Sequence, residues 1–328
     1  MRLRLVVPHD VDTPTGGNTY DLALAEALRR IGDEIEVVRC HRPTLSETLR
    51  RPWRGHTLVD GLLACPEPRV VAAARIAVLV HMPLALETGL AAERAADLDR
   101  SERAALRAAT RVLTTSHWTA DYLARHHGVA EVAVAPPGVD PAPLSSGSDP
   151  PLLVHLAALL PHKDQLGVVT ALSGLTDLPW QARLAGSVDR DRDYATAVRA
   201  AVRDAGLLDR VEITGELPRA VAWEGADLAL LPSLVETFGM VVTEALARGV
   251  PAFVSEGGAA EALGLTGTGE RPGVVVPPGD AAALGRELRR WLTDAGHRER
   301  LRVAARARRD GLEGWETTAR QVRRAFGG

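Results

Sequence analysis

Residues 232–251 read Pro-Ser-Leu-Val-Glu-Thr-Phe-Gly-Met-Val-Val-Thr-Glu-Ala-Leu-Ala-Arg-Gly-Val-Pro. One apolar run, Leu228–Leu231, leads into them and another, Ala252–Val254, follows, so the segment spells strand, turn, helix and strand. Gly249 and Pro251 supply the stop, a glycine just past the helix and a proline that cannot continue it. Glu236 precedes the turn, Phe238, Gly239 and Met240 open the helix, and Glu244 lies inside it. The first N–H groups of a helix lack internal partners and its dipole favours an anion such as phosphate. Carboxylates, in contrast, accept from hydroxyl groups. A ligand that is half phosphate and half polyol satisfies both, and a nucleotide sugar is such a ligand. The plain alternative is an amphipathic helix whose two glutamates are solvated.

Outward from this stretch the same alternation fills the chain. Strand runs are expected at Leu3–Val7, Ile35–Arg39, Leu58–Asp60, Ile76–Val80, Arg111–Thr115 and Val132–Ala135. A second set falls at Leu152–His155, Ala182–Ala185, Val211–Ile213, Leu228–Leu231, Ala252–Val254 and Val274–Val276. Short β-branched runs separated by longer helical patterns imply parallel sheets covered by crossover helices. The chain of 328 residues is longer than one core usually supports, so two doubly wound α/β domains are expected. Between Ala135 and Pro151 a Pro/Gly/Ser-rich stretch cannot sustain a helix or central strand, and it places the boundary near residue 145.

Composition narrows the function classes. With 39 basic and 42 acidic residues the net charge is −3, which provides no overall attraction to nucleic acid or anionic membrane. Two cysteines, Cys40 and Cys65, cannot form a disulfide framework and fit a reducing interior. The apolar start, Leu3–Val7, is too short for a signal peptide, and Arg75 and His81 interrupt the nearest approach to a membrane span, residues 70–86. A cytoplasmic protein is expected. One segment is strongly basic, with Arg286, Arg289, Arg290, Arg298, Arg300, Arg302, Arg306, Arg308 and Arg309. Interspersed acids at 287, 294, 299 and 310 favour a solvated helical face there over a weak peripheral membrane contact.

The string Pro232, Ser233, Glu236, Phe238, Gly239, Glu244, Ala245, Ala247, Gly249, Pro251 resembles the retaining glycosyltransferases of family 4. That resemblance implies the GT-B fold, two Rossmann-like domains facing across a cleft. An acceptor domain would span residues 1–145 and a nucleotide-sugar domain residues 146–311, with 312–328 a helix crossing back to the first. It also implies that Glu236 faces the transferred sugar, that Glu244 holds the ribose hydroxyls, and that the Phe238, Gly239, Met240 and Val241 amides contact sugar and phosphate. Pro137-Gly138-Val139-Asp140 looks like the family's interdomain connection.

Other elements extend the expected site. Gly16 and Gly17 stand between the first strand and a helix read over Tyr20–Ile31. They fit either a close ligand approach or a tight turn with positive φ, but not a dinucleotide fingerprint, whose spacing is absent. His81 lies at a strand's carboxyl end, where open α/β sheets bind ligands, and the resemblance gives it a hydrogen bond to the transferred sugar. Glu87, Thr115 and Ser116 fall in neighbouring loops, as acceptor contacts or as polar caps. Lys163, read at a helix start, opposes the dipole unless an anion is near, and by resemblance it grips a diphosphate. Where the family usually has Gly and Arg, this chain has Ala157 and Ala158, so Arg183 or Arg190 must substitute or the grip is weaker. Gly186-Ser187 and Glu216-Leu217 follow two further strands and by resemblance flank the nucleotide, whereas Gly257-Gly258 reads as a structural turn.

The expected activity is retaining transfer of a hexosyl group from a nucleoside diphosphate sugar to a hydroxyl of a small molecule, glycan or lipid. His81, Glu236 and Lys163 would be catalytic, with no metal, since the alternating acids Asp189, Asp191 and Asp193 are separated by arginines, and with no cofactor beyond the donor itself. The alternatives are another GT-B sugar-nucleotide enzyme, such as an epimerase, or a non-catalytic nucleotide-sugar-binding subunit.

Overall fold

Every expected strand run forms a strand. In the computed structural model, which describes residues 1–327, β1 (Arg2–Pro8), β2 (Glu34–Cys40), β3 (His56–Asp60), β4 (Ala77–Val80), β5 (Arg111–Thr114) and β6 (Val132–Val134) make one sheet. A second sheet holds β7 (Leu152–Leu156), β8 (Gln181–Ala185), β9 (Val211–Gly215), β10 (Ala226–Leu231), β11 (Ala252–Ser255) and β12 (Gly273–Val276). All neighbouring strands pair in parallel. Helices on both faces bury the inner strands, which is why β4 and β10 read as nearly continuous apolar runs, whereas the edge strand β2 still alternates with exposed Glu34, Glu36 and Arg39. Leu3, Leu5, Val6 and Val7 of β1 and Leu228, Leu230 and Leu231 of β10 are all buried.

The first sheet runs β2-β1-β3-β4-β5-β6, and its strand order reverses between β1 and β3. In the second, β12-β11-β10-β7-β8-β9, the reversal falls between β7 and β10. Helices leaving the two flanking strands there go to opposite faces, and the crevice this opens at the strands' carboxyl ends is where doubly wound sheets hold ligands.

The chain divides into two compact units. One comprises Met1–Gly138 with the segment that starts at Glu313, the other Val139–Leu312. The boundary thus lies near the start of the Pro/Gly/Ser stretch and not at residue 145. Hydrogen bonding gives the reason: Ser145 donates its N–H to Arg248 O (2.9 Å) and its hydroxyl to Ala226 O (2.7 Å). Asp227 Oδ2 then accepts from the Ser148 and Leu152 N–H groups at 3.0 Å each. Proline-rich backbone without secondary structure is still stitched to the second sheet.

The helix Trp315–Ala325 packs on the helix Gly16–Arg30 of the first unit, with Trp315, Ala319 and Val322 buried. The Trp315 ring meets Tyr20 edge-on at 5.6 Å, and Thr318 donates to Pro136 O at 2.7 Å. Gly328, the last residue of the expected crossing-back segment, lies outside the described residues. Among the described residues no helix is long and apolar enough to cross a membrane. In the arginine-rich helices Ala281–Thr293 and Ala295–Arg309, Arg289 pairs with Asp177 (2.8 Å), Arg302 with Glu299, and Arg309 donates to Ala247 O and Ala142 O.

Candidate active site

In the second unit the strand reversal collects the central residues. β10 ends at Leu231, and the loop after it carries Ser233 and Glu236 into the seven-residue helix Met240–Leu246. β7 leads to a 3-10 turn, Pro161–Lys163, and then the helix Gln165–Ser173. Lys163 is therefore not in the first turn of that helix, as its spacing suggested. It ends the turn before it, while Asp164, in the left-handed region at φ 54°, caps the helix by accepting from Gly167 N–H at 3.0 Å. The Lys163 ammonium donates to Glu236 Oε2 at 2.7 Å, and Ser233 Oγ lies 3.4 Å from the same oxygen. Burial alone raises the Glu236 carboxyl, but the Lys163 charge and hydrogen bond, with His162, outweigh it and hold Glu236 below the usual carboxylate range. His162, in the same turn, is driven down to about 4 by burial and by Lys163, with Arg190 adding to the effect. It is a neutral imidazole at physiological pH. His155 beneath the turn is likewise held down at about 4, chiefly by burial, and its Nε2 meets Lys163 O at 3.0 Å.

Two glycines shape the loop that presents Glu236. Gly239 caps the helix at φ 83°, a conformation that L side chains rarely adopt, and this frees the turn to deliver the following amides. Gly258 donates its N–H to Glu236 O at 3.0 Å, and a Cβ on it would stand 1.9 Å from Thr237 O. The turn read as merely structural thus buttresses Glu236. Phe238 is buried, Met240 and Val241 are half-buried, and all three lie in or against the core beneath the loop. Glu244 accepts from Trp223 Nε1 (3.2 Å) and Arg219 (3.1 Å) through Oε2. Burial nevertheless keeps its carboxyl above the ordinary value.

Gly186 and Ser187 follow β8, where Gly186 N–H donates to Gly215 O (2.8 Å) and Ser187 O accepts from Leu159 N–H (2.9 Å). Glu216 is exposed and Leu217 packs against the core after β9. Of the two candidate substitutes at the alanine pair, Arg183 is committed, donating to the carbonyls of Val221, Ala222 and Glu224 at 3.2 Å each. Arg190 is exposed and near enough to lower His162.

In the first unit Gly16 and Gly17 begin the helix Gly16–Arg30, capped by Thr15, and neither has positive φ. The helix starts four residues before the expected Tyr20 because Thr15 accepts from Asn18 N–H, while Asn18 ties the preceding loop through Asp10 O and Thr13 O. Gly17 instead lies close against His81: a Cβ would come 3.1 Å from the ring, so the ring would have to shift by a few tenths of an ångström. His81, just after β4, points Nε2 at Asp21 Oδ1 (3.0 Å) and lies 3.6 Å from Asp60 Oδ2. Burial pushes its imidazole down, yet the charge and hydrogen bond of Asp21, with Asp60, leave it above its ordinary value. Ser116 is a helix cap, accepting from Thr119 N–H at 3.0 Å, and Glu87 is exposed.

Comparison with known proteins bears on the same residues. The family model for glycosyl transferases group 1 matches residues 139–308, and that for glycosyltransferase family 4 matches residues 55–143. The chain belongs to the glycosyl transferases group 1 family. A 2-deoxystreptamine N-acetyl-D-glucosaminyltransferase from Streptomyces fradiae is 32% identical over 80% of this chain and 68% of its own length. Glycogen synthase from Mycobacterium tuberculosis is 32% identical over 58% of this chain and 47% of its own length. The chain spans about half the length of the first curated relatives it matches. Among solved structures, sucrose-phosphate synthase from Thermosynechococcus elongatus has a TM-score of 0.82 at 22% identity, covering 99% of this chain and 98% of the other. A protein from Anabaena solved in complex with UDP-glucose has a TM-score of 0.73 at 18% identity, with 99% of each chain covered. The fold of this family member is GT-B.

Proposed function

We propose that this chain is a retaining, metal-independent glycosyltransferase that moves a hexosyl group from a nucleoside diphosphate sugar to a hydroxyl acceptor. The observation that carries the reading is the Lys163–Glu236 pair at the strand reversal of the second sheet, beside a helix entrance, inside the residues that match the family. An ammonium has three donors, and Glu236 engages one. The others meet the leaving diphosphate, with Arg190 supplying the second cation that Ala158 lacks. Glu236, ionised and held by Lys163, faces the sugar, and Glu244, fixed by Trp223 and Arg219 through one oxygen, offers the other to the ribose. His81 of the first unit contacts the transferred sugar. Leaving group and incoming hydroxyl share one face of the sugar, so catalysis rests on positioning and charge stabilisation.

UDP-glucose bound to the Anabaena protein supports a nucleotide-sugar donor. The arginines already paired within the chain favour a solvated surface over a membrane contact, and a soluble cytoplasmic enzyme is the setting we infer. The test is a thermal-shift panel of nucleoside diphosphates and their sugars, run in a strong chelator. A ligand at 100 times its Kd stabilises the native state by about 2.7 kcal/mol, so at least one diphosphate series raises the melting temperature and Glu244→Ala abolishes that rise. A flat panel, or shifts that appear only with added Mg²⁺, overturns the reading. Donor turnover that needs no acceptor points to an epimerase instead.

A further inference from the structure

Asp21, Asp60 and His81 come from three separate segments and converge with polar atoms within 4.8 Å of one another. The two aspartate side chains are 0% and 1% exposed, and His81 is 14% exposed. Each aspartate has one oxygen accounted for. Asp21 Oδ1 takes His81 Nε2 at 3.0 Å, and Asp60 Oδ1 accepts from Leu62 N–H at 2.6 Å. The remaining oxygens, Asp21 Oδ2 and Asp60 Oδ2, are buried with no hydrogen-bond partner. Two ionised carboxylates within 4.8 Å of one another in a buried cluster repel, and each acceptor without a partner in the chain adds a desolvation cost. A single proton between them removes both penalties. It also balances the charge, since an imidazolium, one carboxylate and one carboxylic acid sum to zero.

We propose that Asp60 carries a proton that it donates to Asp21, and that this acid pair is the positioning device for His81. Asp21 anchors the ring by Nε2, Gly17 packs against its face, and Nδ1 is thereby turned to the opposite side. The ionisation of the pair agrees: Asp60 is pushed up to about 7, by burial first and by the charge of Asp21 next. The other titratable groups facing the cluster stay neutral. Tyr20 stands edge-on to His81 at 5.2 Å with its phenol raised by burial, and the Cys65 thiol near Asp60 is raised well above its ordinary value, by burial and then by Glu102. Glu102 is itself paired with His127 at 2.9 Å. The inference rests on the proposed sugar contact of His81 only for its consequence, because the pair is defined without any ligand.

Its test is the imidazole ¹⁵N titration of His81 in the ligand-free, histidine-labelled full chain. The native protein is expected to show two inflections, one from the ring and one as the shared proton leaves. Asp60→Asn replaces the O–H donor by an amide that does not titrate, so one inflection remains. Asp21→Asn removes the anchoring charge, and the protonated fraction of His81 just above neutral pH falls about tenfold, the change an adjacent opposite charge produces. Should Asp60→Asn fail to fold, Asp21→Asn serves alone, because removing the Asp21 charge moves the second inflection to lower pH, and an inflection that stays in place overturns the proposal. Superimposable native and Asp60→Asn titrations overturn the proposal. So does a stoichiometric divalent ion, found by elemental analysis, whose removal by chelator shifts the His81 resonances. Because no donor or acceptor is present, a flat ligand panel and a failed titration are separate results.

Discussion

At the scale of single residues, the second unit's site turns on one contact, Lys163 Nζ to Glu236 Oε2 at 2.7 Å. Both side chains are largely covered, at 21% and 12% exposure, and the Lys163 charge keeps the Glu236 carboxyl low despite that burial. Removing the cation should therefore do two things. If Lys163 grips the diphosphate as proposed, Lys163→Met removes one donor and kcat/KM for transfer is expected to fall about 10²–10³-fold, the usual loss for one electrostatic stabiliser. Glu236 at the same time loses the charge that holds its carboxyl down, while its burial remains, so its pKa moves from below the ordinary value to above it. The acid limb of the pH–rate profile then shifts to higher pH. An acid limb that stays in place in Lys163→Met would separate Glu236 from the catalytic ionisation.

At the scale of elements, the inner strands were legible because burial on both faces favours aliphatic residues, as in Leu228–Leu231. The helix entrance at Phe238–Met240 was legible because glycine and the glutamate spacing mark it locally. Asp21 and Asp60 were not read as site residues. Asp21 sits among the buried residues Tyr20, Leu24, Ala25 and Leu28 of its helix, and Asp60 doubles as a cap for Leu62. Their meeting with His81 depends on strand order, which no local spacing encodes. The start of the helix at Gly16 was missed for a related reason, since Thr15 and Asn18 cap it by a side-chain network that resembles ordinary loop polarity. Gly258 makes the same point about glycine pairs: its N–H and its lack of a Cβ support a different loop, Glu236–Phe238. Gly258→Ala should displace that loop, because the new Cβ cannot remain 1.9 Å from Thr237 O. Transfer is expected to drop about 10²-fold, as small misplacements of a reacting group do, with a stability loss of about 1–3 kcal/mol. Kinetics beside urea melts of the same variant check it, and activity equal to the native enzyme would remove Gly258 from the loop's support.

At the scale of the whole molecule, the first unit is discontinuous: its final helix, Trp315–Ala325, is reached only after the chain has passed through the second unit. That helix is part of the first unit's structure in detail. Trp315 closes on Tyr20, Arg323 pairs with Asp33 at 2.9 Å, and a Cβ on Gly138 would lie 2.2 Å from Trp315 N. Tyr20 in turn meets His81 edge-on, so the same ring links the returning helix to the candidate site of that unit. Trp315→Ala opens a cavity at this junction, since Trp315 is 7% exposed, and truncations of that size cost about 3–5 kcal/mol. The loss falls on one unit. Denaturant unfolding followed by hydrogen exchange should show weakened protection in β1, β5 and the helix Gly16–Arg30, while β7, β8 and β10 keep theirs, because Trp315 contributes no packing to the second sheet's core clusters. Equal loss of protection in both sheets would mean instead that the two units unfold as a single cooperative block, and the contribution of the last helix could then not be assigned to the first unit alone.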